Sequence, residues 1–340
     1  CDRRAKVFEE TSLMLTYIIR RIIYTLPIWI GVYGITFALF HMRDPIAIAR
    51  VHMPQAPDAA LKAWVRNNNL HLPRFVNLPA DADTVLVDGK KHPELASKSI
   101  FYSQFFLGFR EIITFDFGVD KNRQPISESI AERAPYSLSV MLPAFLITVT
   151  LSVVMSLFLA YFRETGLDVG AVLITVAMMS IPVPVYLLLC NWGFGKYLKL
   201  VPVYNHVLLP ILVSVLAGLG GQVRFYRTVF LEQIEQDYIR TARAKGVSES
   251  GILFKHVLPN SLIPILTSVV MSLPFLITGS LILEHFFGIP GMGDMMYTAI
   301  YSQDFQVIKV MVYLGAFLYM IGALLTDISY ILADPRVVLE

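Results

Sequence analysis

Charge is scarce in this sequence. Of its 340 residues, 16% are Asp, Glu, Lys or Arg while 55% are hydrophobic. A typical soluble domain is about one quarter charged. The net charge of +2 is too small to mark nucleic acid as a partner. Cysteine is scarcer still: Cys1 and Cys190 stand far apart, which excludes a disulfide framework or a cysteine-built metal cluster. A phosphate-cradling loop needs Gly, four residues, then Gly-Lys-Ser/Thr. Gly246 and Gly251 have that spacing, but Ile252-Leu253 follows, so the chain is not expected to hydrolyse ATP by itself. His-Glu-x-x-His and Gly-x-Ser-x-Gly are also missing. The seven histidines are scattered, and a metal site built on His206 and His285 is disfavoured. No metal ligand set and no catalytic residue is assigned.

What is present is apolar chain in long blocks. Ile22–Phe40, Leu138–Phe162, Val169–Trp192, Val207–Val223, Val257–Leu283 and Val310–Thr326 contain no Asp, Glu, Lys or Arg. Crossing the hydrocarbon layer takes about 20 apolar residues in a helix. The pattern therefore predicts an all-α integral membrane protein of about six spans, with the lipid bilayer as its solvent. The first block is too long for a signal-peptide core and lacks a small-residue cleavage site, so it reads as a retained anchor. Met14 reads as the natural start, with 1–13 as an upstream extension.

Lys and Arg in short loops set orientation. The tail carries Arg3, Arg4, Lys6, Arg20 and Arg21, and the 222–260 loop carries Arg224, Arg227, Arg240, Arg243, Lys245 and Lys255. The 193–206 loop has only Lys196 and Lys199, and the 286–308 loop has none. Both termini and the 222–260 loop are thus expected to be cytoplasmic. The expected organisation is a tail at 1–16, span 1 at 17–41 and an extracytoplasmic segment at 42–135. A core of spans 2–6 at 136–333 and a cytoplasmic end at 334–340 complete it. The 42–135 segment is too long for a plain connection. Asp88-Gly89 after Thr84–Val87 suggests a hairpin turn within it.

Prolines 143, 182, 184, 210, 264 and 274 fall inside the apolar blocks. Each removes a backbone donor and kinks a helix. Ordinary membrane-helix usage and bent helices around an alternating cavity explain them equally well. Ser180, Asn191, Thr267, Ser268 and Ser272 are small polar groups on the proline-bearing third and fifth spans. They are expected to line a translocation path, although contacts between helices account for them almost as well.

The stretch from Asp237 to Pro259 reads as helix, break, helix. Asp237 and Arg240 share a helical face, with Arg243 and Ala244 one turn on. Gly246 suits the left-handed residue that ends a helix, Ser248 is a good N-cap, and Glu249 complements the new helix's dipole. Pro259 stands near that helix's end. The result is a compact cytoplasmic knob of two short helices at right angles, a shape that a soluble partner can grip.

These residues resemble the cytoplasmic signature of transmembrane subunits of binding-protein-dependent ABC importers. That signature is Glu-Ala-Ala, three residues, Gly, nine residues, Ile, one residue, Leu-Pro. Gly246 in register places Arg240, Thr241 and Ala242 at its start, His256 at the Ile position, and Leu258 and Pro259 at its end. Arg for Glu and His for Ile are departures. The run Thr241-Ala242-Arg243-Ala244-Lys245-Gly246 is similar to that of the peptide-type subfamily. So are Tyr17-Ile-Ile-Arg-Arg entering span 1, and Glu284 leading into Gly288-Ile-Pro290-Gly291-Met-Gly293 as an outer loop. Asp334-Pro335-Arg336 matches its close.

The resemblance implies the type I permease fold and a permease subunit for peptides or peptide-like solutes, with nickel as the rival cargo. It implies a bacterial inner-membrane location and an ATPase-coupling role for the knob. The implied partners are a second homologous permease, two ATPase subunits carrying ATP and Mg, and an extracytoplasmic binding protein. A secondary transporter would need intramembrane charge along an ion path, and only Glu284 and Asp327, near span ends, qualify. A membrane enzyme would need clustered reactive groups, which are missing.

Overall fold

The computed structural model describes residues 2–42, 44–78, 98–199 and 207–333. The expected hairpin at Asp88-Gly89, His206 of the disfavoured metal pair and the closing Asp334-Pro335-Arg336 lie outside the described residues. Among the described residues there is no strand; the single β-bridge joins Val119 to Pro125. The chain is helical because a backbone within lipid has no water to bond and satisfies its polar groups internally.

Among the described residues, four helices are long and apolar enough to cross a membrane: Ile23–His41, Ile126–Tyr161, Leu208–Ile234 and Phe305–Ser329. Two bent helix pairs raise the number to six if each is one span. The first lies in α1 (Asp2–His41), which already includes most of the stretch read as a tail. Three short helices follow: α2 (Pro45–His52), α3 (Asp58–Asn67) and α4 (Gln104–Ile113). Helix α5 (Ile126–Tyr161) starts ten residues before the position read from the charge pattern, and Pro135 and Pro143 lie inside it.

The block at 169–192 is not one straight helix. Helix α6 (Gly166–Ser180) ends before Ile181-Pro182, and α7 (Val183–Cys190) continues into a π-helical turn at Asn191–Tyr197. The two halves meet at 98°. Pro182 and Pro184 lack the N–H groups that would carry the ladder across, and Ile181 is extended. The block at 257–283 is also broken. The segment after Ser248 comprises α10 (Glu249–Ile252), a π turn at Leu253–Val257 and α11 (Leu258–Asn260). It bends by 51° at Ser261 into α12 (Leu262–Thr278). Gly279, at φ +69°, ends α12, and a separate helix α13 (Leu281–Phe287) follows.

The chain packs as two compact units. One comprises Arg133–Tyr297 with the chain before Ile23 and from Leu318 onward. Its centre is α8 (Leu208–Ile234), which packs most extensively on α6. A Cβ on Gly220 would stand 2.9 Å from both Met178 Cβ and the Thr175 carbonyl oxygen, so glycine permits this close approach. In the same unit, Asp327 pairs with Arg21 at 2.5 Å. One of the two exceptional intramembrane charges is thereby neutralised.

The second unit comprises Ile23–Glu132 and Thr298–Phe317. Here Tyr33, Phe37 and Tyr313 are buried with Phe105, Phe109 and Ile112 of α4 packed against them. The Tyr33 hydroxyl donates to the Phe105 carbonyl at 2.6 Å. Ala49, Leu61 and Val65 form a smaller apolar centre between α2 and α3. Gln104 donates to the carbonyls of Leu70 and Leu72, anchoring α4 to the preceding chain. Asp304 caps the start of α15 (Phe305–Ala333) and accepts the Lys121 N–H at 2.8 Å.

Candidate functional site: a helix-turn-helix knob

The knob grows directly out of α8. After Glu235-Gln236 the chain re-enters a helix, α9 (Asp237–Ala244). Its hydrogen bonds close in the manner of a Schellman cap: Val247 N–H to the Ala242 carbonyl at 3.2 Å and Gly246 N–H to the Arg243 carbonyl at 2.9 Å. Gly246 sits at φ +78°, the left-handed conformation this cap demands. Ser248 then accepts the Gly251 N–H and opens α10. The expected helix, break and second helix are all present, each for the expected local reason.

Burial divides the knob into a root and a face. Ile239 and Ala242 of α9 are buried with Ile252, Leu253 and Val257, against Tyr226, Phe230 and Ile234 of α8, Leu157 and Ala160 of α5, and Ile265 of α12. Partly buried Val247 and Leu258 complete this cluster. Asp237, Arg240, Thr241, Ala244, Lys245, Gly246 and Pro259 are exposed instead. Asp237 and Arg240 pair at 3.2 Å on that face, and the Thr241 hydroxyl donates to the Asp237 carbonyl. Arg243 leans across the turn onto Glu249 in a two-pronged contact. The guanidinium's hydrogen bond holds the Glu249 carboxyl below the usual carboxylate range. A charged face thus rests on an apolar root shared with α5, α8 and α12.

The outer glycine-proline segment is more ordered than a loop. Gly288 caps α13 in the left-handed conformation, and Gly291 leads straight into α14 (Met292–Tyr301). Pro290 is exposed on the turn between them. The segment read as the outer loop 286–308 contains a ten-residue helix, Met292–Tyr301. Glu284 is the reason. Its side chain is 0% exposed and accepts N–H bonds from Ser280 at 3.1 Å, Gly293 at 2.7 Å and Asp294 at 3.3 Å. Those last two donors open α14, where an acidic group complements the helix dipole. Ser137 of α5 adds a hydrogen bond to this carboxyl and accepts the Met292 N–H at 2.8 Å. Asp294 also joins Arg133 and His285, and the His285 ring stacks on Tyr297 at 3.6 Å.

The small polar residues of the third and fifth spans are not brought into one group. Ser180 is exposed and bonds back to the Val176 carbonyl at the end of α6. Asn191 opens the π turn beyond the bend. Thr267 and Ser272 bond to carbonyls one turn earlier in α12. Ser268 likewise donates to the Ile265 carbonyl at 3.0 Å and in addition meets the Tyr226 hydroxyl of α8 at 3.1 Å, a contact between helices. Among the described residues, no group of three or more His, Cys, Asp or Glu is placed to hold a metal.

Sequence reasoning counted Arg227 only as a loop charge and passed over Asp168. The Arg227 Nε and NH2 donate to the two Asp168 carboxylate oxygens at 2.8 and 2.7 Å, and both side chains are largely buried. The available signal was an acid at the edge of the charge-free 169–192 block, with a basic residue at the end of the following one.

Comparison with known proteins gives the same reading. The chain is 28% identical to the oligopeptide transport system permease protein AppB of Bacillus subtilis, covering 95% of this chain and 99% of that one. It is 32% identical to the dipeptide transport system permease protein DppB of Bacillus subtilis, over 70% of this chain and 79% of that one. It is 26% identical to the glutathione transport system permease protein GsiC of Salmonella choleraesuis, over 95% and 99%. Residues 152–339, which include the knob, match the profile of binding-protein-dependent transport system inner membrane components. The chain belongs to that family: it is a multi-pass permease component of a binding-protein-dependent importer.

Proposed function

We propose that this chain forms half of a translocation pathway for peptides or peptide-like solutes, driven by ATPase subunits that grip the knob. The supporting observation is the knob's division into an exposed charged face and an apolar root shared by α5, α8 and α12. A soluble motor needs a surface to hold and a rigid lever behind it. The relatives' cargoes, oligopeptide, dipeptide and glutathione, share amide-linked amino acids, which favours peptides over nickel.

In this reading the N-terminus, knob and C-terminus are cytoplasmic, following the Lys and Arg bias. ATP and Mg are held by two ATPase subunits, and a second homologous permease supplies the other half of the path. An extracytoplasmic binding protein docks on the 42–135 segment and the Gly288–Gly293 turn. Ser180, Asn191, Thr267 and Ser272 face the path, whereas Ser268 serves the contact with α8.

Reconstitution with the co-encoded ATPase, second permease and binding protein tests this. Labelled di- and tripeptides should enter vesicles only with ATP and liganded binding protein present. Uptake that follows an ion gradient without the ATPase would refute it.

A further inference from the structure

The knob's root packs against α8 as well as α5 and α12. The residues that tie α8 to its neighbour are visible. Asp168 is 5% exposed at the start of α6, and its two oxygens receive both prongs of Arg227. One of those oxygens also accepts the Glu164 N–H at 3.2 Å. Glu164 stands at φ +63°, so the turn into α6 is held in a conformation that non-glycine residues rarely adopt. The two helices are joined again at Gly220, where no side chain larger than hydrogen fits against Met178 and Thr175. Two ties at separate points along α6 and α8 make them one rigid pair.

The pair ends in a joint. Beyond Ser180 the chain turns by 98° into α7, and the Tyr186 hydroxyl donates back across that bend to the Met178 carbonyl at 2.8 Å. Ser180 and Asn191 lie on either side of the bend.

We infer that Asp168 and Arg227 are positioning residues for transport. They transmit displacement of the knob from α8 to α6, and so swing the α6–α7 elbow at Ile181-Pro182. This rests on the reading of the knob as the ATPase contact. A paired, bidentate Arg suits such a strut because its fork fixes direction as well as distance, which a lysine's point charge does not.

The test uses the complete reconstituted transporter and measures peptide transported per ATP hydrolysed, alongside assembly and basal ATPase activity. Asp168→Asn should lower that ratio by about tenfold, within the usual range of coupling between sites, while assembly and basal hydrolysis stay near normal. Arg227→Lys keeps the charge but loses the fork, and should lower the ratio by about threefold. It also serves as the readout should Asp168→Asn fail to insert. The exchanged pair Asp168→Arg/Arg227→Asp should recover part of the ratio. An unchanged ratio in both single variants overturns the inference, and so does a fall in assembly and ATPase activity that parallels the loss of transport. Gly246→Val is the control. If it uncouples and the Asp168 and Arg227 variants do not, the strut is refuted and the knob reading stands. If Gly246→Val also stays coupled, the knob reading itself fails.

Discussion

Arg243 grips Glu249 across the knob's turn, its Nε 2.7 Å from one carboxylate oxygen and its NH2 3.1 Å from the other. The contact joins the last turn of α9 to the first turn of α10 and fixes the angle at which the charged face is presented.

Glu249 is over half exposed, so the pair contributes only about 0.5 kcal/mol after solvent screening. Glu249→Ala should leave insertion intact and lower ATPase stimulation by the binding protein about twofold. The Arg243 hydrogen bond lowers the Glu249 pKa from its ordinary 4.5. Its contribution is therefore complete above about pH 4.5 and is lost as pH falls through the lowered value. The protection of the Val247–Gly251 amides of the membrane-embedded chain, measured against the intrinsic exchange rate at each pH, should fall on acidification below that point. In Glu249→Gln this acid-dependent step should vanish; its persistence would place the titration elsewhere.

At Gly246 the constraint is conformational. Nothing lies within 4 Å of a Cβ built there, yet φ is +78°. An L residue in this region costs about 1–2 kcal/mol, and asparagine tolerates it better than a β-branched residue. Gly246→Asn should retain most transport. Gly246→Val should reduce transport per ATP severely while the protein still reaches the membrane. Equal activity of the two variants would show that the turn's handedness is immaterial.

The Glu284 socket is built from close approaches. A Cβ on Gly293 would stand 2.5 Å from the Ser280 carbonyl carbon and oxygen, and one on Gly291 would stand 2.3 Å from Glu284 Oε2. Glu284→Ala would strand buried N–H donors at about 1–3 kcal/mol each. Both Glu284→Ala and Gly293→Ala should lower the thermal transition of the detergent-solubilised protein markedly. Gly288→Asn, at an exposed left-handed position, should not. Normal melting of Gly293→Ala would contradict the packing described for this turn.

Thiol labelling separates the path residues. Ser180→Cys should react with a water-soluble reagent to an extent that changes with nucleotide state. Ser268→Cys, facing Tyr226, should react slowly in every state. Protection of Ser180→Cys in all states would remove it from the path.

Much of this was legible from residue order alone, because the decisive forces were local or had one dominant period. Six apolar blocks specify membrane helices, since backbone in lipid has no partner but itself. The knob was equally readable: Gly246 at a left-handed cap, Ser248 as N-cap and Asp237 with Arg240 one turn apart depend on neighbours within a few positions. What the tertiary structure decided depends on approaches between distant parts of the chain. Prolines 182 and 184 announced a kink, but only packing sets the 98° bend. Glu284 looked like an outer-loop charge and is a buried keystone, because Ser137, Gly279 and Gly293 come from separate segments to enclose it. Asp168 and Arg227 lie 59 positions apart. No periodicity pairs them, and only the close packing of α6 on α8 makes them a single charge-neutral contact.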